Sequence, residues 1–162
     1  MVYCLITSTA AADMLLLVET ISRLRIDWNE RPLTEADFQK LCRRFNVTVQ
    51  ELPLKVGGFY YSMMGRHFIA IDGRLSPQKK LFVMFHEFGH FLLHVPEGPA
   101  TANYHGIGHR TRKEIEADMF ALCALIPRCW VESEDLAELA ADAGLELSQV
   151  RERIEIFDRF GM

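Results

Sequence analysis

Cysteine is scarce and unpatterned: Cys4, Cys42, Cys123 and Cys129 form no CxxC pair. A chain of 162 residues does not need covalent staples. The four thiols are therefore expected to be buried and reduced. Positive charge is not in excess either, since 18 Lys and Arg face 22 Asp and Glu for a formal net charge of -4. Nothing here favours phosphate backbones or anionic lipid, so neither nucleic-acid nor membrane binding is expected. No apolar run reaches the roughly 20 residues that a bilayer helix requires. The apolar stretch from Met1 to Val18 lacks a basic residue before Arg23 and is broken by Asp13, which argues against a secretory signal. A cytoplasmic location follows as the expectation. Repeats, low-complexity tracts and linker-like composition are missing too.

What remains suits one globular domain. Apolar residues make up 49% and charged residues 25% of the chain, enough to build one core and keep it soluble. Met14, Leu17, Ile21 and Leu24 recur at helical spacing over 11–25. The apolar surface of that helix leaves room for a homodimer. Thr34 is a fitting N-cap for a second helix with Phe38, Leu41, Cys42 and Phe45 on its apolar stripe and Asn46 at its exit. The pattern then changes. Val47 to Leu52 and Phe59 to Ile71 are rich in β-branched and aromatic residues, broken at Gly65 and Arg66, and predict two or three short antiparallel strands.

Ser76-Pro77 predicts a helix start and Pro96, Gly98 and Pro99 its end. A loop to about Arg112 precedes a helix from Lys113 to Ile126, stopped by Pro127. Two shorter helices follow, from Glu134 to Ala143 and, capped by Ser148, from Gln149 to Phe160. The expected division is a core over 1–130 with a helical segment over 131–162 packed on it.

Five of the six histidines lie between His86 and His109, and the Ser76 helix reads His86-Glu87-Phe88-Gly89-His90. Residues four apart on a helix share a face, so His86 and His90 can both turn a ring nitrogen to one metal ion. Glu87 flanks that face. It can reach a metal-bound water without being a ligand, as a general base in peptide hydrolysis must. This is the HExxH signature of zinc peptidases. Leu81, Phe82, Phe85, Phe88 and Leu92 supply the apolar surface behind it.

A catalytic zinc needs a third protein ligand and an open position. The metzincin arrangement would place a histidine where Pro96 stands, which excludes that class. Glu114 and Glu116 on the following helix are the candidates, and lying about 200° apart only one can face the metal. Glu114 shares its face with Ala117, Asp118 and Ala121, whose small side chains allow close helix approach, whereas Glu116 shares its face with Phe120 and Cys123. Glu114 is therefore the expected ligand. Asp118, one turn on, is placed to accept the outer ring N–H of a ligand histidine. His94 is too far along the axis to join His86 on one ion and is assigned to the surroundings of the site or to structure. Tyr104, His105 and His109 are candidates for oxyanion or substrate contacts. His67 reads as a rim residue.

The run LFVMFHEFGHFLLH over 81–94, followed by EIEADMFALCALIP over 114–127, resembles the ImmA/IrrE family of zinc metallopeptidases. That family's pattern is a HExGH helix and then an ExxAN-x-FA-x-x-LLMP helix. The resemblance reaches back through the hairpin-like GGFYYSMMGRHFIAIDGRLS and covers Leu33 to Pro127. Asp118 stands where Asn is usual and Ile126 where Met is usual. By this resemblance His86 and His90 match zinc ligands, Glu87 the catalytic base and Glu114 the third ligand. The segment LAELAADAGLELSQVRERIEIF is similar to the helix-turn-helix-like end of the family's core, although its acidic balance does not suit DNA.

The expectation is an α+β zincin-like single domain with a small antiparallel sheet packed on the HExxH helix. Its strand His67, Phe68, Ile69, Ala70 and Ile71 is expected at a sheet edge, where an extended peptide could add beside the metal. The resemblance implies a gluzincin-like Zn2+ metalloendopeptidase that cleaves a cognate XRE-type helix-turn-helix repressor in stress or mobile-element regulation. A non-catalytic protein that sequesters a repressor or toxin is the alternative, and retention of Glu87 argues against it. A DNA-binding regulator built on 134–160 is a third reading, disfavoured by charge.

Overall fold

The computed structural model describes residue 15 and residues 17–94, 100–102, 111–133 and 135–162. Residues 17–22 are helical, and Leu17, Ile21 and Leu24 enter the core together. Helix α1 (Glu35–Phe45) starts at Thr34 in a capping box: the Thr34 hydroxyl accepts from the Asp37 amide, and the Asp37 carboxylate accepts from the Thr34 amide. Arg31 donates to the same carboxylate at 2.8 Å and holds Asp37 well below the usual carboxylate range. Asn46 closes the helix in the left-handed region.

Strands β1 (Val47–Leu52), β2 (Gly58–Met63) and β3 (Arg66–Asp72) follow, with β4 (Ala100–Ala102) completing a four-stranded sheet in the order β1-β3-β2-β4. β2 and β3 form an antiparallel hairpin joined by Met64 and Gly65, both at positive φ, the geometry that matches strand twist in a two-residue turn. β4 adds antiparallel to β2.

Two expectations fail here. β1 runs parallel to β3, pairing Val47 with His67, so the sheet is mixed rather than antiparallel. The strand from His67 to Ile71 is not an edge: β3 is bonded to β1 on one side and β2 on the other, and offers no open ladder to a peptide. The physical cause lies in Ile69, Ala70 and Ile71, all wholly buried. A continuous apolar run marks a strand covered on both faces, which an interior strand satisfies best.

Helix α2 (Pro77–Leu93) lies between this sheet and helix α3 (Arg112–Leu125). Pro77 opens α2 behind Ser76 at the N-cap position, whose side chain makes no capping hydrogen bond. Its apolar side carries Phe85 and Phe88 edge-on against Phe38 at 5.8 and 6.3 Å, while Phe91 reaches Tyr60 and His67. Against α3 the contact is closer. A Cβ on Gly89 would stand 3.2 Å from the Cα of Ala117, so glycine here is a spacing residue. Its propensity cost of about 1 kcal/mol is accepted in exchange for helix proximity.

Three short elements close the chain: α4 (Arg128–Ser133), α5 (Leu136–Ala143) and α6 (Leu147–Phe160). α4 and β4 fall in stretches expected to be loop. α5 begins two residues later than expected, under an Asp135 capping box, and α6 is capped by Glu146 rather than Ser148. Gly144 separates the two in the left-handed region, as its placement predicts. The fully buried Arg153 of α6 donates to the Ile126 carbonyl at 2.8 Å, the Met162 carbonyl at 2.6 Å and Asn29 Oδ1 at 2.7 Å. Through these bonds α6 is tied to the end of α3 and to the chain before α1. Among the cysteines, Cys42 and Cys123 are buried as expected, whereas Cys129 is exposed because α4 turns it outward; Cys4 lies outside the described residues.

Among the described residues no helix is long and apolar enough to cross a membrane. The fold is α+β, a zincin-like single domain. Substituting Gly89→Val forces a branched side chain into the α2–α3 contact and is expected to cost about 1–3 kcal/mol in urea unfolding. An unchanged midpoint would show that the helices can separate without penalty.

Candidate metal centre

The face of α2 opposite its phenylalanines is polar and yet buried. His86 is 4% exposed, and Glu87 and His90 are wholly inaccessible. Such a concentration of ionisable groups inside a fold is costly unless the groups serve one another or an ion. They do converge: the Nε2 atoms of His86 and His90 lie 3.1 Å apart. α3 supplies the third group because Thr111, as N-cap, accepts from the Glu114 amide and sets the first turn with Glu114 facing α2. The Glu114 carboxylate spans the pair, Oε2 at 3.4 Å from His86 Nε2 and Oε1 at 3.2 Å from His90 Nε2.

These separations test whether an ion fits. Tetrahedral coordination with bonds of about 2.0–2.1 Å gives ligand-to-ligand edges of about 3.3–3.4 Å. The ring-to-ring edge of 3.1 Å and the distances of 3.2 and 3.4 Å from each ring to one or other Glu114 oxygen are of that size, and one donor atom from each residue lies within 4.8 Å of the others. His86, His90 and Glu114 could therefore hold one metal ion, with three donors and room for a fourth. Glu87 is not one of the three: about 100° around α2 from His86, its carboxylate flanks the cluster.

The outer ring nitrogens are also engaged. His86 Nδ1 lies 2.6 Å from Asp118 Oδ1, one turn beyond Glu114 on α3. Burial pulls the His86 pKa down, but Asp118 and Glu114 outweigh it and push it up to about 9. His90 Nδ1 lies 2.9 Å from His94 Nδ1, and His94 Nε2 lies 3.1 Å from Glu116 Oε2. Burial lowers the His94 pKa more than Glu116 raises it, so this ring is neutral at physiological pH. Arg112 donates to the other Glu116 oxygen at 2.7 Å.

Glu116 is the residue that sequence reasoning sets aside. Its neighbours on α3 point to the core, but it sits half-turned toward the end of α2 and meets His94 there. The signal is present in the spacing of His90 to His94 and of Arg112 to Glu116, both one helical turn. His67 is placed elsewhere: its Nδ1 lies 2.9 Å from the Tyr60 hydroxyl and its ring packs on Phe91, at the opposite side of α2 from the metal donors. Tyr104, His105 and His109 lie outside the described residues. A groove of about 560 Å3 between α3 and α6 contains none of the metal-facing donors. Its lining, including Ile115, Arg151 and Phe160, offers no convergent ligand set, so the chemistry is located at the histidines.

In the metal-free protein His86 is protonated near neutral pH, and Nε2 must lose that proton to bind an ion. Metal binding is therefore expected to release about one proton per ion near neutral pH, and affinity to rise about tenfold per pH unit until about pH 9. Calorimetric titration in buffers of differing ionisation enthalpy measures this directly; an absence of proton release would contradict the charged His86.

The chain was also compared with known proteins. No curated protein matches it. Residues 42–155, which carry the sheet, α2, α3 and most of α6, match the IrrE N-terminal-like domain, Peptidase_M78. A peptidase of metal-dependent type accords with the three converging donors and the carboxylate beside them, and the chain belongs to the IrrE N-terminal-like family.

Proposed function

We propose that this protein is a zinc-dependent metalloendopeptidase in which His86, His90 and Glu114 hold the ion, Asp118 orients His86 and Glu87 is the general base. The observation that carries this reading is the convergence of three metal-type donors within 4.8 Å of one another, beside the buried carboxylate of Glu87, whose charge acts on the His86 ring. Zinc suits a His/His/Glu set of this geometry and leaves a position open, a gluzincin-like arrangement. Once bound, such an ion supplies a Lewis acid that polarises the scissile carbonyl and makes water acidic enough to react near neutral pH.

The protein's own groups do the rest. Glu87 accepts the proton of the attacking water on its carboxylate and passes it to the departing amine, the role for which a base near a metal but not bound to it is suited. Asp118 fixes the proton of His86 on Nδ1, which leaves the Nε2 lone pair to ligate.

The substrate is proposed to be a cognate XRE-type helix-turn-helix repressor in the cytoplasm, removed in stress or mobile-element regulation. Two features support a protein substrate over DNA. A net charge of -4 attracts a basic DNA-binding protein and repels nucleic acid. Of the basic residues Arg151, Arg153 and Arg159 in the terminal helix, Arg153 is wholly buried and inaccessible to phosphate. In this reading 1–130 forms the peptidase core and 131–162 a segment supporting it.

Glu87→Gln is expected to keep zinc and partner binding while lowering cleavage by about 10²–10⁴-fold. The measurement is co-expression or mixing with an XRE-type protein encoded nearby, followed by gel analysis, alongside metal content of protein purified without added metal. Cleavage at the original rate would remove Glu87 from the mechanism. Undiminished biological output from this variant would favour sequestration of the partner over hydrolysis.

A further inference from the structure

The two ligand histidines are held differently. His86 meets a carboxylate directly, whereas His90 meets a second imidazole that is itself bound to a carboxylate. We propose that His94 and Glu116 are positioning residues that act as a relay, fixing the tautomer and orientation of His90 for metal binding. The inference rests on the metal-centre reading above, but it concerns how the metal is held rather than what is hydrolysed.

Donor and acceptor bookkeeping along the chain of contacts allows one assignment. His90 Nε2 faces the other two ligands, at 3.1 Å from His86 Nε2 and 3.2 Å from Glu114 Oε1, so a metal there requires its lone pair. A neutral imidazole then carries its proton on Nδ1. That N–H points at His94 Nδ1, 2.9 Å away, which must accept. His94 therefore carries its own proton on Nε2 and donates it to Glu116 Oε2 at 3.1 Å. Glu116, an acceptor only, takes a further hydrogen bond from Arg112 on its other oxygen at 2.7 Å. Every link has one donor and one acceptor, and no atom in the relay is asked to do both.

The surroundings make the arrangement rigid. The His94 side chain is 5% exposed and stands at the C-cap of α2, its backbone N–H bonded to the His90 carbonyl at 3.1 Å. Glu116 is anchored one turn from Arg112 on α3. The relay thus spans the same two helices as the metal ligands, at their other end along α2. A ligand histidine whose outer nitrogen is held this way is restrained against ring rotation, and loss of such partners commonly weakens metal binding.

The test uses the full chain, stripped of metal and titrated with zinc against a chromophoric chelator. His94→Phe keeps bulk and burial but neither accepts nor donates, and it is expected to weaken zinc binding about 10–100-fold. His94→Gln can accept through Oε1 from His90 and donate through Nε2 to Glu116, and it is expected to recover most of that loss. Zinc binding by the His94→Phe protein as tight as that of the native one, or a His94→Gln protein as weak as His94→Phe, would overturn the relay. Long-range 1H–15N spectra of the zinc-loaded native protein decide independently of any variant's folding. The expected signature is a neutral His94 protonated on Nε2; a proton on His94 Nδ1 would refute the assignment. None of these readouts depends on peptidase activity, so failure of the relay and failure of the proposed function are separable.

Discussion

The approach of α3 to α2 across Gly89 and Ala117 is the contact on which the centre depends. Neither helix alone can assemble a metal site: α2 contributes two histidines, and the carboxylates that complete and orient them all project from α3. At this contact glycine faces the alanine backbone, leaving 3.2 Å for a Cβ that is not there. A side chain at position 89 would press on the Ala117 backbone and so on the helix spacing that sets Glu114 against His86 and His90. Along the two helices Asp118 then meets His86, Glu114 meets His86 and His90, and Glu116 meets His94.

The same contact explains how so much ionisable chemistry is tolerated inside the fold. His86, Glu87, His90 and His94 are all buried, and isolation of any one of them would carry a heavy desolvation cost. On one side the phenylalanines of α2 anchor the helix to α1, the sheet and α3, through Phe38, Tyr60 and Phe120. On the other side each described histidine ring is matched by a carboxylate or another ring. The apolar contacts hold the frame rigid, and the polar contacts decide which nitrogen carries each proton. This division of labour suits a metal centre, where ligand geometry must survive without the ion bound.

The parts legible in the sequence are those governed by local spacing. Histidines four residues apart define a common helical face, and Ala117 and Ala121 mark the side of α3 that can approach another helix. Thr34, Asn46, Pro127 and Gly144 punctuate the helices where their backbone preferences require. What local spacing leaves open is partnership over distance. Nothing in the pattern of Val47 to Leu52 says that it pairs parallel with β3, because a strand's periodicity describes its faces and not its neighbours. The run Ile69-Ala70-Ile71 does carry a hint of an interior strand in having no polar alternation. Glu116 escapes the sequence because helical phase groups it with the core-facing Phe120 and Cys123, and only the packing of α3 on α2 brings it to His94. Cys129 belongs inside by its residue type alone, and a helix that begins after Pro127 turns it out.

By itself the sequence determined the chemistry on offer: two imidazoles on one helical face with a carboxylate flanking it, a carboxylate series on a second helix, and an acidic balance that discourages nucleic acid. Those properties follow from residue identity and the fixed pitch of an α-helix. Helical phase already favours Glu114 as the third donor and Asp118 as the partner of a histidine; only the tertiary structure brings Glu116 to His94 and covers β3 on both sides. Those outcomes depend on the separation and axial register of packed elements, and these are set by Gly89 against Ala117, by the sheet order and by the Arg153 tie, none of which helical or strand periodicity encodes.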